Sequence, residues 1–219
     1  MKISELKAKL KDKETRWYTA IAISFLLTIL FALYNGFLGI YSHSIWNGSI
    51  CFYYLFLVAL RVIILVREKK TSKVEDSSIQ SQKRRKTFVA ISIIMFVMNI
   101  SLILPITLMV LSEKQVDMGL IPAISIAVYT TYKVTMAIIN FVKYKRYQNL
   151  AYRQIRIINL VDAILTVLTL QNTLIMVNDG GVHGDMLTLA AVTSFVATII
   201  IVALPIYALR KMLKEKHDN

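Results

Sequence analysis

Six long runs of apolar residues limit this chain to one kind of fold. A helix needs about 20 apolar residues to cross the hydrocarbon core of a bilayer. Backbone groups at that depth cannot bond to water, so only helices or closed barrels can span it. These runs are too long and too uniformly apolar for barrel strands, and the sequence therefore predicts an all-α integral membrane protein with six transmembrane helices. The predicted spans are residues 17–41, 45–66, 88–111, 120–142, 157–177 and 186–209.

The polar segments between the spans predict how the chain is organised. Residues 1–16 form a basic segment with a weak amphipathic pattern, residues 17–209 form the transmembrane domain, and residues 210–219 form a basic tail. The first apolar run is longer than that of a signal peptide and lacks a small-residue cleavage site, so we expect it to be retained. The connections after the first, third and fifth spans are short, which predicts three consecutive αα-hairpins. The Ser-rich stretch 71–82 is predicted as a loop.

The basic residues predict the orientation of the spans. Of the 26 Lys and Arg residues, 23 lie in the segment 1–16, the tail 210–219 and the two connections after spans two and four. The other connections contain only Lys114. Because cytoplasmic loops carry the excess of Lys and Arg, we expect both termini in the cytoplasm and the spans in a plasma membrane. The net charge of +13 then indicates contact with anionic lipid headgroups and no binding of nucleic acid.

Three ionisable residues lie within the predicted spans, where charged side chains are costly and commonly mark functional positions. Arg61 in span two and Asp162 in span five are each six residues, about 9 Å, from the nearest cytoplasmic arginine. Their opposite charges and matched depths predict that they are neighbours. Lys133 in span four lies about 15 Å deep. We expect it to face the bundle interior, within reach of Tyr or Asn groups.

Polar residues recur at helical spacing in spans one, two, four and five, and we expect these faces to turn inward because a lipid-facing stripe would not be polar. Two interpretations stay open: the faces line a cavity for a ligand, or they only join the helices through hydrogen bonds. The stripes comprise Ser24, Thr28 and Asn35; Asn47, Tyr54 and Arg61; Tyr129, Thr130, Lys133 and Asn140; and Asp162, Thr166, Thr169 and Thr173. The candidate cavity or ligand residues are Lys133, Arg61, Asp162, Asn99, Tyr129, Thr130, Asn140, Thr166, Thr169 and Tyr54.

The sequence contains none of the usual catalytic patterns. It lacks H-E-x-x-H, G-x-S-x-G and phosphate-binding loop motifs, and Cys51 is its single cysteine. We expect neither an enzyme nor a metal or cofactor site. The leading hypothesis is a transporter- or channel-like protein whose interior takes a polar or anionic solute, because a central lysine suits such a solute. The alternative is a non-transporting subunit, regulator or immunity protein whose polar residues only pack the bundle.

Three short segments carry a family resemblance. These are YTTYK at 129–133, NLVDA at 159–163 and LQN at 170–172. They resemble segments of small six-span membrane proteins from low-GC Gram-positive bacteria, a group without an assigned activity. The resemblance implies a bacterial plasma membrane and does not indicate a reaction.

Overall fold

The computed structural model describes residues 13–111, 120–143, 149–177 and 184–217. Of this part of the chain, 94% is helical and none is strand. Much of the predicted basic segment 1–16, the connection 112–119 and most of the connection 178–185 lie outside it. The described helices are α1 (Lys13–Tyr41), α2 (Ile45–Thr71), α3 (Ser77–Ser101), α4 (Ile103–Leu111), α5 (Leu120–Lys143), α6 (Leu150–Val177) and α7 (Gly184–His217).

The described part of the chain contains six helical stretches that are long and apolar enough to cross a membrane, with α3 and α4 together forming the third. This agrees with the predicted number of spans and suggests a multi-pass membrane protein. The turn at residues 42–44 marks one end of the bundle, named the outer end, and the turn at 72–76 marks the opposite, inner end. Residues 1–12, which precede α1, are not among those described.

The helices extend beyond the predicted spans at the inner end. The third span begins at Ser77 instead of residue 88, so most of the predicted loop 71–82 is helical, and α6 begins at Leu150 instead of residue 157. Asp76 caps α3, accepting hydrogen bonds from the backbone N–H groups of Ser78 and Ile79 at 2.8 and 3.3 Å. Hydrogen bonds from the side chain and backbone of Ser78 lower the pKa of the Asp76 carboxyl. A good cap lets the helix start in polar sequence, which hydropathy alone does not reveal.

Pro105 explains the break within the third span. Proline has no N–H, so the carbonyl four residues earlier, that of Ser101, loses its helical partner. The helix is interrupted at Leu102, between α3 and α4. Pro205 lies inside α7 and similarly frees the carbonyl of Ile201. Asn99 of α3 donates its side-chain Nδ2 to that carbonyl at 2.7 Å.

The helices pack in an order that differs from the predicted three hairpins. The most extensive contacts join α1 to α2 and α5 to α6. Within the described residues α3 and α4 do not pack against α5, and α3 packs on α7 instead. The structure therefore does not show the predicted hairpin of spans three and four. A short connection limits how far apart two helix ends lie and does not determine which faces they bury. Helix α6 lies at the centre, with 56% of its apolar stretch buried against 22–39% for the others.

A close approach of α1 and α2 positions the first of the site's helices. A Cβ added to Gly39 of α1 would lie 2.9 Å from the backbone nitrogen of Gly48 in α2. No real Cβ tolerates that distance, so a glycine is required where the two backbones meet. The contact holds the outer ends of α1 and α2 together and aligns Thr28 of α1 with Arg61 of α2.

Candidate functional site

Three charged side chains from three helices meet in the bundle interior. Arg61 comes from α2, Lys133 from α5 and Asp162 from α6. Asp162 Oδ2 accepts from Arg61 Nη2 at 2.6 Å and from Lys133 Nζ at 2.5 Å. Their exposed fractions are 1%, 4% and 0%. The predicted Arg61–Asp162 pair is confirmed, and these three residues are called the charge cluster.

Lys133 faces the interior, as predicted. The depth count had placed its Cα about 6 Å deeper than that of Asp162, and the long lysine stem covers this difference. Its ammonium also lies 5.4 Å from the centre of the Tyr129 ring, within the range of a cation–π contact. The neutral groups near the ammonium are therefore this ring and a threonine hydroxyl, and the charged partner is Asp162.

Thr28 joins the two cations and was not among the predicted ligand residues. Its hydroxyl oxygen accepts from Arg61 Nη1 at 2.7 Å and from Lys133 Nζ at 2.6 Å. The hydroxyl proton has an acceptor 2.8 Å away in the carbonyl of Ser24. A hydroxyl has two lone pairs and one proton, so Thr28 is fully satisfied. The only sequence signal for this role was its place on the polar stripe of span one.

Asn159 is a second residue that the sequence did not identify. Its side-chain oxygen accepts from Arg61 Nη2 at 3.0 Å. It lies three residues before Asp162 on α6 and so shares one face of that helix with it. This three-residue spacing from Asp162 is the sequence pattern that could have predicted the role of Asn159.

Three aromatic rings pack on the outer side of the charge cluster. Phe31 of α1 stacks on Tyr129 of α5 with ring centres 3.9 Å apart and an angle of 11° between the planes. Phe31 also meets Tyr54 of α2 edge-on at 5.2 Å. Phe31, Tyr54 and Tyr129 are each displaced from Thr28, Arg61 and Lys133 toward the outer end of their own helices. Phe31 and Tyr54 are buried, and Tyr129 is half-buried.

The charge cluster carries more positive than negative charge. Among the residues whose burial the structure describes, Asp162 is the only buried acidic side chain, whereas Arg61 and Lys133 are both buried cations. With all three ionised, the net charge is one positive unit. Two polar atoms of the cluster, Asp162 Oδ1 and Arg61 Nε, are buried without a hydrogen-bond partner. The cluster is thus incomplete in charge and in hydrogen bonding.

Four of the other predicted residues lie on α5 and α6 outside the charge cluster. Thr166 and Thr169 are buried, but their hydroxyls donate to carbonyls of their own helix. Thr130 donates to the carbonyl of Thr166 at 3.2 Å, which joins α5 to α6. Asn140 is half-buried, about 10 Å from Lys133 toward the inner end. These positions fit helix packing better than ligand contact.

Asn99 belongs to a separate polar group on the other side of α2. Its side-chain oxygen accepts from the hydroxyl of Tyr53 at 2.5 Å, and its nitrogen donates to Ile201. Tyr53 and Asn99 have exposed fractions of 2% and 1%. This group is called the Tyr53–Asn99 clamp. It joins α2, α3 and α7 and satisfies the carbonyl that Pro205 frees.

The inner end of the bundle is closed by paired polar groups. Arg84 of α3 contacts Glu68 of α2 at 2.6 Å, and Asn149 donates to the same carboxylate at 3.0 Å. A cavity of about 10 Å³, the size of one water, lies beside them and is lined in part by Arg67 and Gln154. None of its lining residues belongs to the charge cluster.

No protein-family model matches this chain, and no curated protein matches it. The resemblance at residues 129–133, 159–163 and 170–172 therefore stays a prediction. What the chain does has to be argued from the charge cluster.

Proposed function

We propose that this chain is a small multi-pass protein of a bacterial plasma membrane that binds a small polar or anionic solute at the charge cluster and moves it through the bundle. The observation that carries the proposal is the buried excess of positive charge at Arg61, Lys133 and Asp162. An unpaired charge in a bilayer interior costs at least about 2.5 kcal/mol. A bound anion would neutralise the excess. A cluster that only joined the helices would be more stable with one positive and one negative charge.

The positions of the exposed apolar residues support membrane insertion. Large apolar side chains of α1 are exposed along one helical face, while Thr28 and Asn35 on the opposite side are buried. A lipid environment accepts such a face, and water does not favour so large an apolar surface. The exposed residues on this face are Leu26, Leu30, Leu33, Phe37 and Ile40.

A second function is favoured by a different observation. Every member of the charge cluster is at most 4% exposed, and the hydroxyls of Thr166 and Thr169 donate to carbonyls of their own helix. A packed interior of this kind suits a subunit or regulator that binds a partner and moves nothing. In that case the polar residues set the helix arrangement, as buried polar groups do in other bundles.

Substitution of Lys133 separates the two functions. Purified protein reconstituted in liposomes would be tested for uptake of acetate and chloride as probe anions. Lys133→Met should abolish uptake while the protein still inserts and folds, and Lys73→Met, at an exposed lysine, should leave uptake unchanged. If wild-type protein moves neither anion and Lys133→Met is neutral or more stable, the subunit function is favoured.

The proposed orientation has its own test. The excess of basic residues at the inner end implies that this end, with both termini, faces the cytoplasm. A reporter cysteine placed within 112–119 should react with an impermeant thiol reagent added outside intact cells, and one at 72–76 should not. The reverse labelling pattern would invert the topology.

A further inference from the structure

Buried polar atoms without hydrogen-bond partners are concentrated between the charge cluster and the outer end. On α2 they are Trp46 Nε1 and Asn47 Nδ2, and on α1 Asn35 Oδ1. Asn35, Trp46 and Asn47 are at most 5% exposed. The hydroxyls of Tyr54 and Tyr129 also lie buried without a hydrogen bond of normal geometry. Leaving such a group unpaired costs about 1–3 kcal/mol, so a row of them needs an explanation.

The unpaired atoms form a series along the helix axes. Measured from Arg61, Tyr54 lies about 10 Å and Asn47 about 21 Å nearer the outer end. Asn35 lies about 10 Å beyond Thr28 on α1. The series therefore runs from the level of the charge cluster almost to the turn at residues 42–44. Toward the inner end, Glu68, Arg84 and Asn149 bond to one another, and among the described residues Arg156 Nη1 is the one buried side-chain atom there without a hydrogen-bond partner.

We propose that the outer half of the bundle, between α1, α2, α5 and α6, holds a hydrated route by which a small anion reaches the charge cluster from the outer end. This inference rests on the proposed function and adds to it the side of entry and the class of solute. Water or solute in the route would supply the missing hydrogen bonds.

The chemistry of the unpaired groups selects for an anion. The Asn47 side-chain N–H, the two tyrosine hydroxyls and the Arg61 Nε–H can all donate, and Arg61 and Lys133 lie at the end of the series. Within the described residues, the only acidic side chain in contact with them is Asp162, which already binds both cations through one oxygen. The unpaired acceptors are Asn35 Oδ1 and Asp162 Oδ1. A small anion would thus meet more donors than acceptors and a net positive charge at the end of the series, whereas a cation would be repelled.

The stack of Phe31 on Tyr129 closes the route in this structure. It lies directly outward of Thr28 and Lys133, and Tyr54 packs edge-on against it. These rings lie between Asn35 Oδ1, which has no hydrogen-bond partner, and the charge cluster. Phe31 would have to move for an anion to pass.

Cysteine labelling tests the route without knowledge of the solute. In a Cys51→Ala background, Thr169→Cys places a thiol on α6 at the level of the route, and Ile158→Cys places an equally buried thiol on the same helix beyond the cluster. A sulfonate-bearing methanethiosulfonate added from the outer side should modify Thr169→Cys and leave Ile158→Cys unmodified. Equal reaction at both positions, or no reaction at Thr169→Cys, overturns the route.

The charge and the closing stack are tested on Thr28→Cys. Relative to their rates with a free thiol, the sulfonate reagent should react about tenfold faster than its trimethylammonium analogue. Phe31→Ala should accelerate this labelling, and Phe37→Ala, at an exposed phenylalanine of the same helix, should not. A faster cationic reagent, or equal effects of Phe31→Ala and Phe37→Ala, contradicts the inference. If labelling at Thr169→Cys fails although uptake still requires Lys133, the route is wrong and the proposed function stands.

Discussion

Tyr53 and Tyr54 are neighbours on α2, both are almost fully buried, and they belong to different kinds of polar group. Tyr53 donates to Asn99 in the Tyr53–Asn99 clamp, where the described donors and acceptors have partners. Tyr54 points to the side of α1 and α5, where the Phe31 ring meets it edge-on and its hydroxyl has no hydrogen bond of normal geometry. The Tyr53–Asn99 clamp is complete in its hydrogen bonds, and the polar group around Tyr54 is not.

This difference separates what holds the bundle from what is available for function. The clamp satisfies a carbonyl that Pro205 frees and ties three helices together without any charge. With its three side chains ionised, the charge cluster has one net positive charge, and Asp162 and Arg61 each have an unpaired atom. Natural cores satisfy most of their buried polar groups, so the incomplete side is where a ligand or water is expected.

The largest expected effect is at the charge cluster. Asp162→Asn leaves Arg61 and Lys133 buried without their carboxylate, and loss of one partner of a buried ion pair costs about 3–5 kcal/mol. Unfolding of the purified protein, followed by circular dichroism, should show this loss. Adding Arg61→Gln should restore part of it, because one stranded charge is removed. If the two changes simply add, the two residues are not coupled.

A smaller effect is expected at the clamp. Asn99→Leu keeps the branching of the side chain but leaves the hydroxyl of Tyr53 and the carbonyl of Ile201 unpaired, which should cost about 2 kcal/mol. The same unfolding measurement reports it. Anion uptake per folded molecule should be unchanged, since the clamp does not contact the charge cluster. A selective loss of uptake would mean that the two sides of α2 are not independent.

The smallest effects distinguish the two tyrosines directly. Tyr53→Phe breaks a buried hydrogen bond and should cost about 1 kcal/mol, whereas Tyr54→Phe removes a hydroxyl without a hydrogen bond of normal geometry and should change stability by less than about 0.5 kcal/mol. Each variant loses one hydroxyl group, at adjacent positions of the same helix, so each serves as the control for the other. Equal losses of stability would show that Tyr54 has a partner and would remove the contrast.

The sequence predicted the parts of this structure that follow from local chemistry. The six apolar runs were enough to predict the six candidate spans. The opposite charges and equal depths of Arg61 and Asp162 were enough to predict that they are neighbours. Thr28 was not predicted as a site residue because the hydroxyl of a buried threonine can simply bond its own helix. Hydropathy does not distinguish such a threonine from one that contacts the charge cluster. The structure does not show the predicted pairing of spans three and four, since packing depends on which helix faces fit together. The extension of α3 to Ser77 depends on the Asp76 cap.

The most direct test of the account is whether an anion binds at Lys133. Thermal unfolding of the purified protein would be followed in acetate, chloride and phosphate at constant ionic strength, for wild type, Lys133→Met and the exposed control Lys73→Met. A ligand at about 100 times its dissociation constant stabilises the native state by about 2.7 kcal/mol. We expect at least one anion to raise the unfolding midpoint of the wild type and of Lys73→Met but not of Lys133→Met. Equal shifts in all three proteins, or none in the wild type, would contradict it.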